Sequence, residues 1–173
     1  CQDRAALDRP SEREQDMKLL LLLAGACVIM DQLSKAIALA WLSPGDPVSV
    51  VPGFNLTLGF NEGASFGMLS GVMSGRPLLM AALTGALTLV FAIMALRTKS
   101  PLESAGLAMI VGGATGNLID RLRQGAVTDF LDLYWQDWHW PAFNGADIAI
   151  TAGALCILYA AIPTRRQKET TVD

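Results

Sequence analysis

The stretch that decides the fold is GGATGNLIDRLRQGAVTDFLD, residues 112–132. It begins with small residues inside an apolar run and ends with polar residues, a pattern typical of a packed helix that delivers polar groups to an interface. On a helix, Gly113, Asn117 and Asp120 fall at positions i, i+4 and i+7, so the polar side chains continue the small-residue face. Ionisable groups beside hydrocarbon are costly, which marks them as functional-site candidates. We expect the chemistry here.

The composition around this stretch is that of a membrane protein. Of the 173 residues, 52% are hydrophobic and 17% are charged, whereas a soluble domain is about 25% charged. The net charge is −3, and no basic run carries interleaved aromatic residues, so we expect no nucleic-acid partner. Three cysteines and one histidine do not make up the usual zinc sites. We therefore expect no metal and no cofactor.

The quoted stretch closes the third of four predicted membrane spans. A span requires about 20 largely apolar residues, and four apolar segments approach this length: 19–42, 77–96, 102–119 and 146–162. The first contains Asp31 and Lys35, which are i, i+4 neighbours and can form an ion pair. LLAGAC at its centre also resembles a lipoprotein cleavage box, but Ala24 stands where leucine or valine is usual, and apolar helix follows. The predicted fold class is thus mainly α and integral to the membrane.

The segments between and beyond the spans have different characters. Residues 43–67 alternate like short strands, which predicts a β-rich element on the membrane surface, with an ordinary extramembrane loop as the alternative. Residues 1–16 are interpreted as a disordered extension, 17–163 as one domain and 164–173 as a cytoplasmic tail. The connection between the third and fourth spans is interpreted as an interfacial loop because of its aromatic cluster. That cluster comprises Tyr134, Trp135, Trp138, Trp140 and Phe143.

Charge asymmetry predicts the orientation in the membrane. Four spans place both termini and the 97–101 loop on one side, and that side carries more lysine and arginine near the helix ends. By the positive-inside rule, the termini are cytoplasmic. The polar residues of interest then gather at the outer face: Asp31, Asn61, Asp120, Asp129 and Asp147.

Carboxyl groups are the side chains best placed for catalysis at that face. Two neighbouring carboxyl groups in a partly dry site do not both ionise easily, so one keeps a proton while the other acts as a base, as in aspartic proteases. Such a pair activates water and polarises a carbonyl group. The candidates on the outer side are Asp31, Asp46, Asp120, Asp129, Asp132, Asp137 and Asp147.

Neighbouring cations shorten this list of carboxylates. Asp31 has Lys35 one turn away, and Asp120 adjoins Arg121, so both are interpreted as members of structural ion pairs. A carboxylate without an adjacent cation is the better candidate for catalysis. The competing interpretation of such a pair is that both are carboxylates at helix ends, where an acid is favoured by the helix dipole. The two aspartates with apolar neighbours are Asp129 and Asp147.

The motifs together resemble those of the bacterial lipoprotein signal peptidases (signal peptidase II), four-span aspartic endopeptidases. The matching segments are DQLSK at 31–35, FNEGASFG at 60–67, the quoted stretch at 112–132, and FNGAD at 143–147. The resemblance implies that Asp129 and Asp147 are the catalytic dyad and that residues 43–67 form a cradle over the substrate. It also implies four further residues lining the site: Asn61, Asn117, Arg121 and Asn144. Asp31 and Lys35 match the family's polar pair, and with Asp120 they are expected to support the site.

The same resemblance implies a substrate and a location. The substrate is a prolipoprotein whose future N-terminal cysteine carries a diacylglyceryl group, and cleavage before that cysteine frees the signal peptide. The protein is expected to be a monomer of the bacterial inner membrane, in contact with lipid, with its site facing the periplasm. The alternative is a small proton-coupled transporter using the same carboxylates, whose signature would be charges near the bilayer midplane and an internal repeat.

Overall fold

The computed structural model describes residues 12–63 and 75–162. The predictions for residues 1–11, 64–67 and 163–173 lie outside these described residues. The helices are α1 (Glu12–Trp41), α2 (Pro77–Arg97), α3 (Pro101–Gln124) and α4 (Gly145–Ala161). The strands are β1 (Val48–Val51), β2 (Phe54–Asn61), β3 (Val127–Trp135) and β4 (Trp138–His139).

Helix α3 is the centre of the helical part and packs against α1, α2 and α4. Its glycines allow this close approach. A Cβ atom on Gly106 would lie 2.6 Å from the carbonyl oxygen of Gly153, and one on Gly113 would lie 2.5 Å from that of Ala146. One on Gly112 would likewise collide with the backbone of α1. The predicted small-residue packing of this stretch is therefore confirmed.

Among residues 12–63 and 75–162, three helices are long and apolar enough to cross a bilayer by length and composition. They are α1 from Asp16 onward, α2 and α3, whereas α4 is apolar but has 17 residues. Helix α3 continues past the predicted end of the third span at residue 119 and stops at Gly125, whose left-handed φ of 81° ends the helix. Asp120 and Arg121 are therefore helical.

The N-terminal boundary requires a correction. Residues 1–16 were interpreted as a disordered extension, but α1 already begins at Glu12. An ion pair of 2.8 Å joins Glu14 to Lys18 one turn later, and such i, i+4 pairs favour a helix.

The connection between α3 and α4 also differs from the prediction, because it is not an irregular loop. It contains β3 and β4, which extend the two strands of the predicted β-rich element into one antiparallel sheet in the order β1-β2-β3-β4. The run VTDFLDLYW, residues 127–135, places its apolar side chains at alternate positions for much of its length, a strand signal. Asp129 therefore lies on a strand in the middle of a sheet.

The sheet has an apolar face and a polar face, as the strand register shows. On the apolar face, the aligned side chains are Val48, Leu56 and Leu131 in one row, Val51, Phe54 and Leu133 in a second, and Trp135 with Trp138 in a third. The opposite face carries Ser49, Asn55, Asp132, Tyr134 and His139. Asp129 belongs to the apolar face, at the end of β3 nearest the helices, because side chains two residues apart on a strand share a face.

Candidate active site

The site forms where β3 meets the first turn of α4. Asp129 lies four residues beyond Gly125, where α3 ends, and its residue is 4% exposed. Asp147 is the third residue of α4 and is 9% exposed. We refer to Asp129 and Asp147 as the carboxyl pair. The two positions predicted from the sequence are thus both buried at the junction of sheet and helices.

Asn144 connects the two members of the carboxyl pair and is itself fully buried. Its Nδ2 donates to Asp129 Oδ1 at 2.6 Å. Its Oδ1 accepts from the backbone N–H of Asp147 at 3.1 Å, while its own N–H donates to Asp147 Oδ2 at 3.3 Å. The last two bonds form a capping box that starts α4. A single asparagine therefore orients both carboxyl groups.

The surroundings of Asp129 favour its protonated form. Burial raises the pKa of its carboxyl group from 3.8 to about 6, and the nearby charge of Asp147 acts in the same direction. Hydrogen bonds from Asn61 and Asn144, together with the positive charge of Lys35, oppose the rise in pKa. A carboxyl group with a pKa near neutrality is suited to general acid–base chemistry.

Two further asparagines from the predicted site donate to the carboxyl pair. Asn61 Nδ2, at the end of β2, donates to Asp129 Oδ2 at 3.2 Å. Asn117 Nδ2, on α3, lies 3.4 Å from Asp147 Oδ1. The sequence prediction that Asn61, Asn117 and Asn144 lie beside the two aspartates agrees with this arrangement.

Arg121 ties α3 to the end of β2. Its guanidinium donates to the carbonyl oxygen of Gly63 at 2.7 Å and to that of Asn117 at 3.3 Å. The residue is 6% exposed, and its Nε has no hydrogen-bond partner among residues 12–63 and 75–162. Arg121 is therefore a buried cation next to the carboxyl pair with a donor to spare within this part of the chain.

The ion pair of Asp120 differs from the prediction. The sequence assigned its charge to Arg121 one position away, but Asp120 Oδ2 lies 3.0 Å from Lys35 Nζ on α1. Lys35 also pairs with Asp31, as predicted, at 2.9 Å. The difference arises because the side chains of adjacent helical residues point in different directions, so that a neighbouring helix supplies the partner. We refer to Asp31, Lys35 and Asp120 as the Lys35 cluster.

With this geometry established, known proteins provide a comparison. A family model described as signal peptidase (SPase) II matches residues 23–163. The chain belongs to the signal peptidase II family. This match confirms the resemblance inferred from the four motifs and identifies the chain as a protease. It therefore favours the peptidase interpretation over the transporter alternative.

Individual members of the signal peptidase II family are similar along most of their length. The lipoprotein signal peptidase of Coxiella burnetii (strain Dugway 5J108-111) is 41% identical over 144 residues, which are 82% of this chain and 88% of that protein. The lipoprotein signal peptidase of Burkholderia mallei (strain SAVP1) is 44% identical over 133 residues, 76% of this chain and 80% of that protein. A bacterial membrane enzyme solved by the in meso method at 2.3 Å resolution superposes with a TM-score of 0.77 at 29% identity, covering 90% and 95% of the two chains.

Several residues beside the site of this signal peptidase II were missed by sequence reasoning. Gln32 Nε2 donates to Asp120 Oδ1 at 3.1 Å and lies 3.2 Å from Asp31 Oδ2. An amide adjacent to Asp31 on a membrane helix is the signal that was available, since polar side chains there usually face the bundle interior.

A second missed group lies on the polar face of the sheet. His139 Nδ1 is 2.9 Å from Asp132 Oδ1, and Asn55 Nδ2 donates to Asp132 Oδ2 at 3.1 Å. The imidazole ring also stacks on Tyr134 with ring centroids 5.3 Å apart. These contacts join β2, β3 and β4 on the face opposite to Asp129.

Within residues 12–63 and 75–162, no group of three or more histidine, cysteine, aspartate and glutamate side chains is arranged to hold a metal ion.

Proposed function

We propose that this signal peptidase II is an aspartic endopeptidase that cleaves diacylglyceryl-modified prolipoproteins on the amino side of the lipidated cysteine. Family membership supports the removal of signal peptides from prolipoproteins. The aspartic mechanism, the lipid-modified substrate and the cleavage point are our proposal, with Asp129 and Asp147 as the catalytic residues.

The observation that carries the proposal is the burial of two carboxyl groups joined through one asparagine. Asn144 bonds to both members of the carboxyl pair, and each member has a further amide donor within reach, Asn61 or Asn117. This environment holds both groups in fixed orientations, and their mutual repulsion favours the singly protonated pair. That is the protonation state on which aspartic peptidases depend.

The reaction follows from this protonation state. The ionised carboxylate takes a proton from a water molecule as the water oxygen attacks the scissile carbonyl carbon. The protonated carboxyl group donates a hydrogen bond to the carbonyl oxygen, which gains negative charge in the tetrahedral intermediate. The leaving amine then receives the proton that the first carboxylate took from water as the C–N bond breaks, which restores the singly protonated pair. Because the carboxyl pair titrates as a unit, both pKa values belong to the pair.

The polar residues around the pair act on the substrate and on the pair itself. Asn61 and Asn117 restrict the carboxyl rotamers through their amide bonds. The guanidinium group of Arg121 is suited to a substrate backbone carbonyl group, because it is a donor-only group with several N–H bonds. The site is also supported by the Lys35 cluster, whose two carboxylates accept hydrogen bonds from the backbone N–H groups of Ala146 and Thr128.

The amphipathic sheet supports a particular placement at the membrane. We propose that its apolar face rests on the outer surface of the bacterial inner membrane, because tryptophan side chains favour the headgroup level and Trp135 and Trp138 are 76% and 59% exposed. In this arrangement α4 is the fourth span, both termini are cytoplasmic, and the site opens at the periplasmic surface of a monomer. A diacylglyceryl group can then stay in the lipid while the peptide reaches the carboxyl pair.

The test is a gel-shift assay of the purified protein with a diacylglyceryl-modified prolipoprotein. We expect the parent to cleave it and Asp129→Asn and Asp147→Asn each to be inactive while remaining folded. Asp132→Asn is the matched control, because it removes a buried carboxylate from the same strand on the other face of the sheet. Cleavage by either of the first two variants at the parental rate would remove that residue from the proposed mechanism.

A further inference from the structure

Lys35 is a lysine in the interior of the helical part, 2% exposed, with three acceptors around its ammonium group. Asp31 Oδ2 lies at 2.9 Å, Asp120 Oδ2 at 3.0 Å and Asn117 Oδ1 at 2.8 Å. An ammonium group donates up to three hydrogen bonds and cannot accept one. All three donors therefore have partners, two of them carboxylates on different helices.

The first carboxylate of the Lys35 cluster holds the start of α4. While Asp31 Oδ2 faces Lys35, Asp31 Oδ1 accepts from the backbone N–H of Ala146 at 2.8 Å. Ala146 immediately precedes Asp147, and consecutive Cα atoms are about 3.8 Å apart. Fixing this amide therefore fixes the backbone from which the Asp147 side chain projects.

The second carboxylate holds β3 in the same manner. Asp120 Oδ2 faces Lys35 and also accepts from the backbone N–H of Thr128 at 3.0 Å. Thr128 immediately precedes Asp129 in the sequence. Each carboxylate of the Lys35 cluster is thus bonded to the amide one residue before a member of the carboxyl pair.

We propose that Lys35 is a positioning residue that sets the separation of Asp129 and Asp147. This inference rests on the proposed function, in which those two groups act together. The ammonium group draws Asp31 and Asp120 together, and through their amide bonds it fixes the two backbone segments that carry the carboxyl pair. Without it, the two carboxylates lose the cation that draws them together and repel each other. The Gln32 amide is then left to bridge them, at 3.2 and 3.1 Å, and the segments that they hold move apart.

The third contact of Lys35 orients an amide toward the carboxyl pair. Because Lys35 only donates, Asn117 must present its Oδ1 to it, and this turns Nδ2 toward Asp147 Oδ1 at 3.4 Å. The reverse amide orientation would place Oδ1 against the carboxylate. Loss of the ammonium group therefore leaves Asn144 Nδ2, at 3.3 Å from Asn117 Oδ1, to hold this amide orientation, and it also releases the two anchored segments.

The inference is tested with Lys35→Met, which keeps the length of the side chain and removes its charge. Lys18→Met is the matched control, because Lys18 forms an exposed i, i+4 ion pair with Glu14 on the same helix. We expect Lys35→Met to lower kcat at least 100-fold with KM changed less than threefold, and Lys18→Met to change neither. A folded Lys35→Met protein with kcat within threefold of the parent would overturn the inference.

A charge-balanced variant keeps the test decisive if Lys35→Met does not fold. Lys35→Met combined with Asp31→Asn and Asp120→Asn removes the repulsion, and both asparagines retain an oxygen for the anchored amides. If Lys35 serves charge balance alone, this variant recovers both its thermal stability and its kcat. We expect recovered stability with kcat still at least 30-fold below the parent, and recovered kcat would refute the positioning role. A parent that does not cleave would instead count against the proposed function.

Discussion

Replacing Asn61 by leucine should move the pH dependence of cleavage. Asn61 donates one hydrogen bond to Asp129 Oδ2 at 3.2 Å, and this bond stabilises the ionised carboxylate. In the proposed mechanism, the active form of the carboxyl pair holds one proton, and it loses that proton as the pH rises. Activity should therefore fall on the alkaline side as the pH passes the upper pKa of the carboxyl pair. Removing the donor makes the proton harder to lose, so this alkaline limb should move to higher pH.

The size of the movement follows from the hydrogen bond. A hydrogen bond contributes about 1 kcal/mol when both groups are neutral and about 1.5–3 kcal/mol when one is charged, so this bond favours the ionised carboxylate by about 1 kcal/mol. One pKa unit corresponds to about 1.4 kcal/mol. The midpoint of the alkaline limb should therefore move to higher pH by about 0.7 units in Asn61→Leu. Asn61→Asp should move the alkaline limb to still higher pH, because it replaces the amide donor by a further negative charge. The variant keeps an oxygen for the Gly63 N–H, which in the parent donates to Asn61 Oδ1 at 2.9 Å.

The assay is kcat/KM for a diacylglyceryl-modified prolipoprotein between pH 5 and pH 9, since this parameter reports on the free enzyme. Asn55→Leu is the matched control, because Asn55 lies on the same strand and makes the same kind of bond, at 3.1 Å, to Asp132. Its alkaline limb should stay in place. A limb that moves to lower pH in Asn61→Leu, or that moves equally in Asn55→Leu, would contradict the reasoning.

Three further predictions concern stability. Asp129→Asn removes a group whose pKa is about 6 in the folded protein against an ordinary 3.8; the stability conferred by its protonated form is present below about pH 4 and is lost as the pH rises through 6. In denaturant titrations, the free energy of unfolding of this variant should therefore exceed that of the parent by at most about 3 kcal/mol at pH 8. This difference should disappear toward pH 4. Gly153→Ala should destabilise the protein by about 1–3 kcal/mol because the added Cβ meets the carbonyl oxygen of Gly106. A Cβ on Gly25 would have no atom within 4 Å, so Gly25→Ala should not lower the melting temperature. Asp120→Asn should lower the melting temperature, because it removes a buried charge partner of Lys35, while turnover by the folded protein is largely kept. Loss of turnover in a variant of full stability would contradict this prediction.

The sequence predicted the features that depend on short-range periodicity. The spacing of Gly113, Asn117 and Asp120 identifies one face of a helix before any neighbour is known, and that face does meet the other helices. The motifs around Asp129 and Asp147 identified the carboxyl pair, which the structure buries at one junction. These predictions hold because the helical period is fixed by backbone geometry.

The features that sequence reasoning missed depend on contacts distant along the chain. Asp120 finds its cation on α1, at Lys35, rather than at the adjacent Arg121. Asn144 was interpreted from its motif as lining the site, and it also caps α4, but its bond to Asp129 arises only when β3 is placed beside α4. The strand β3 itself was interpreted as part of a loop, because its aromatic end also fits an interfacial segment.

The short link between α3 and β3 limits how the length of this chain can vary. Gly125 ends the helix, and Asp129 follows on a strand whose side chains alternate between the two faces. Inserting one residue between these two positions would exchange the faces and turn the carboxyl group toward the side occupied by Asp132. A two-residue insertion would restore the face but displace the group by almost 7 Å along the strand. Length changes compatible with catalysis are therefore confined to places such as the turn between β3 and β4, beyond Trp135.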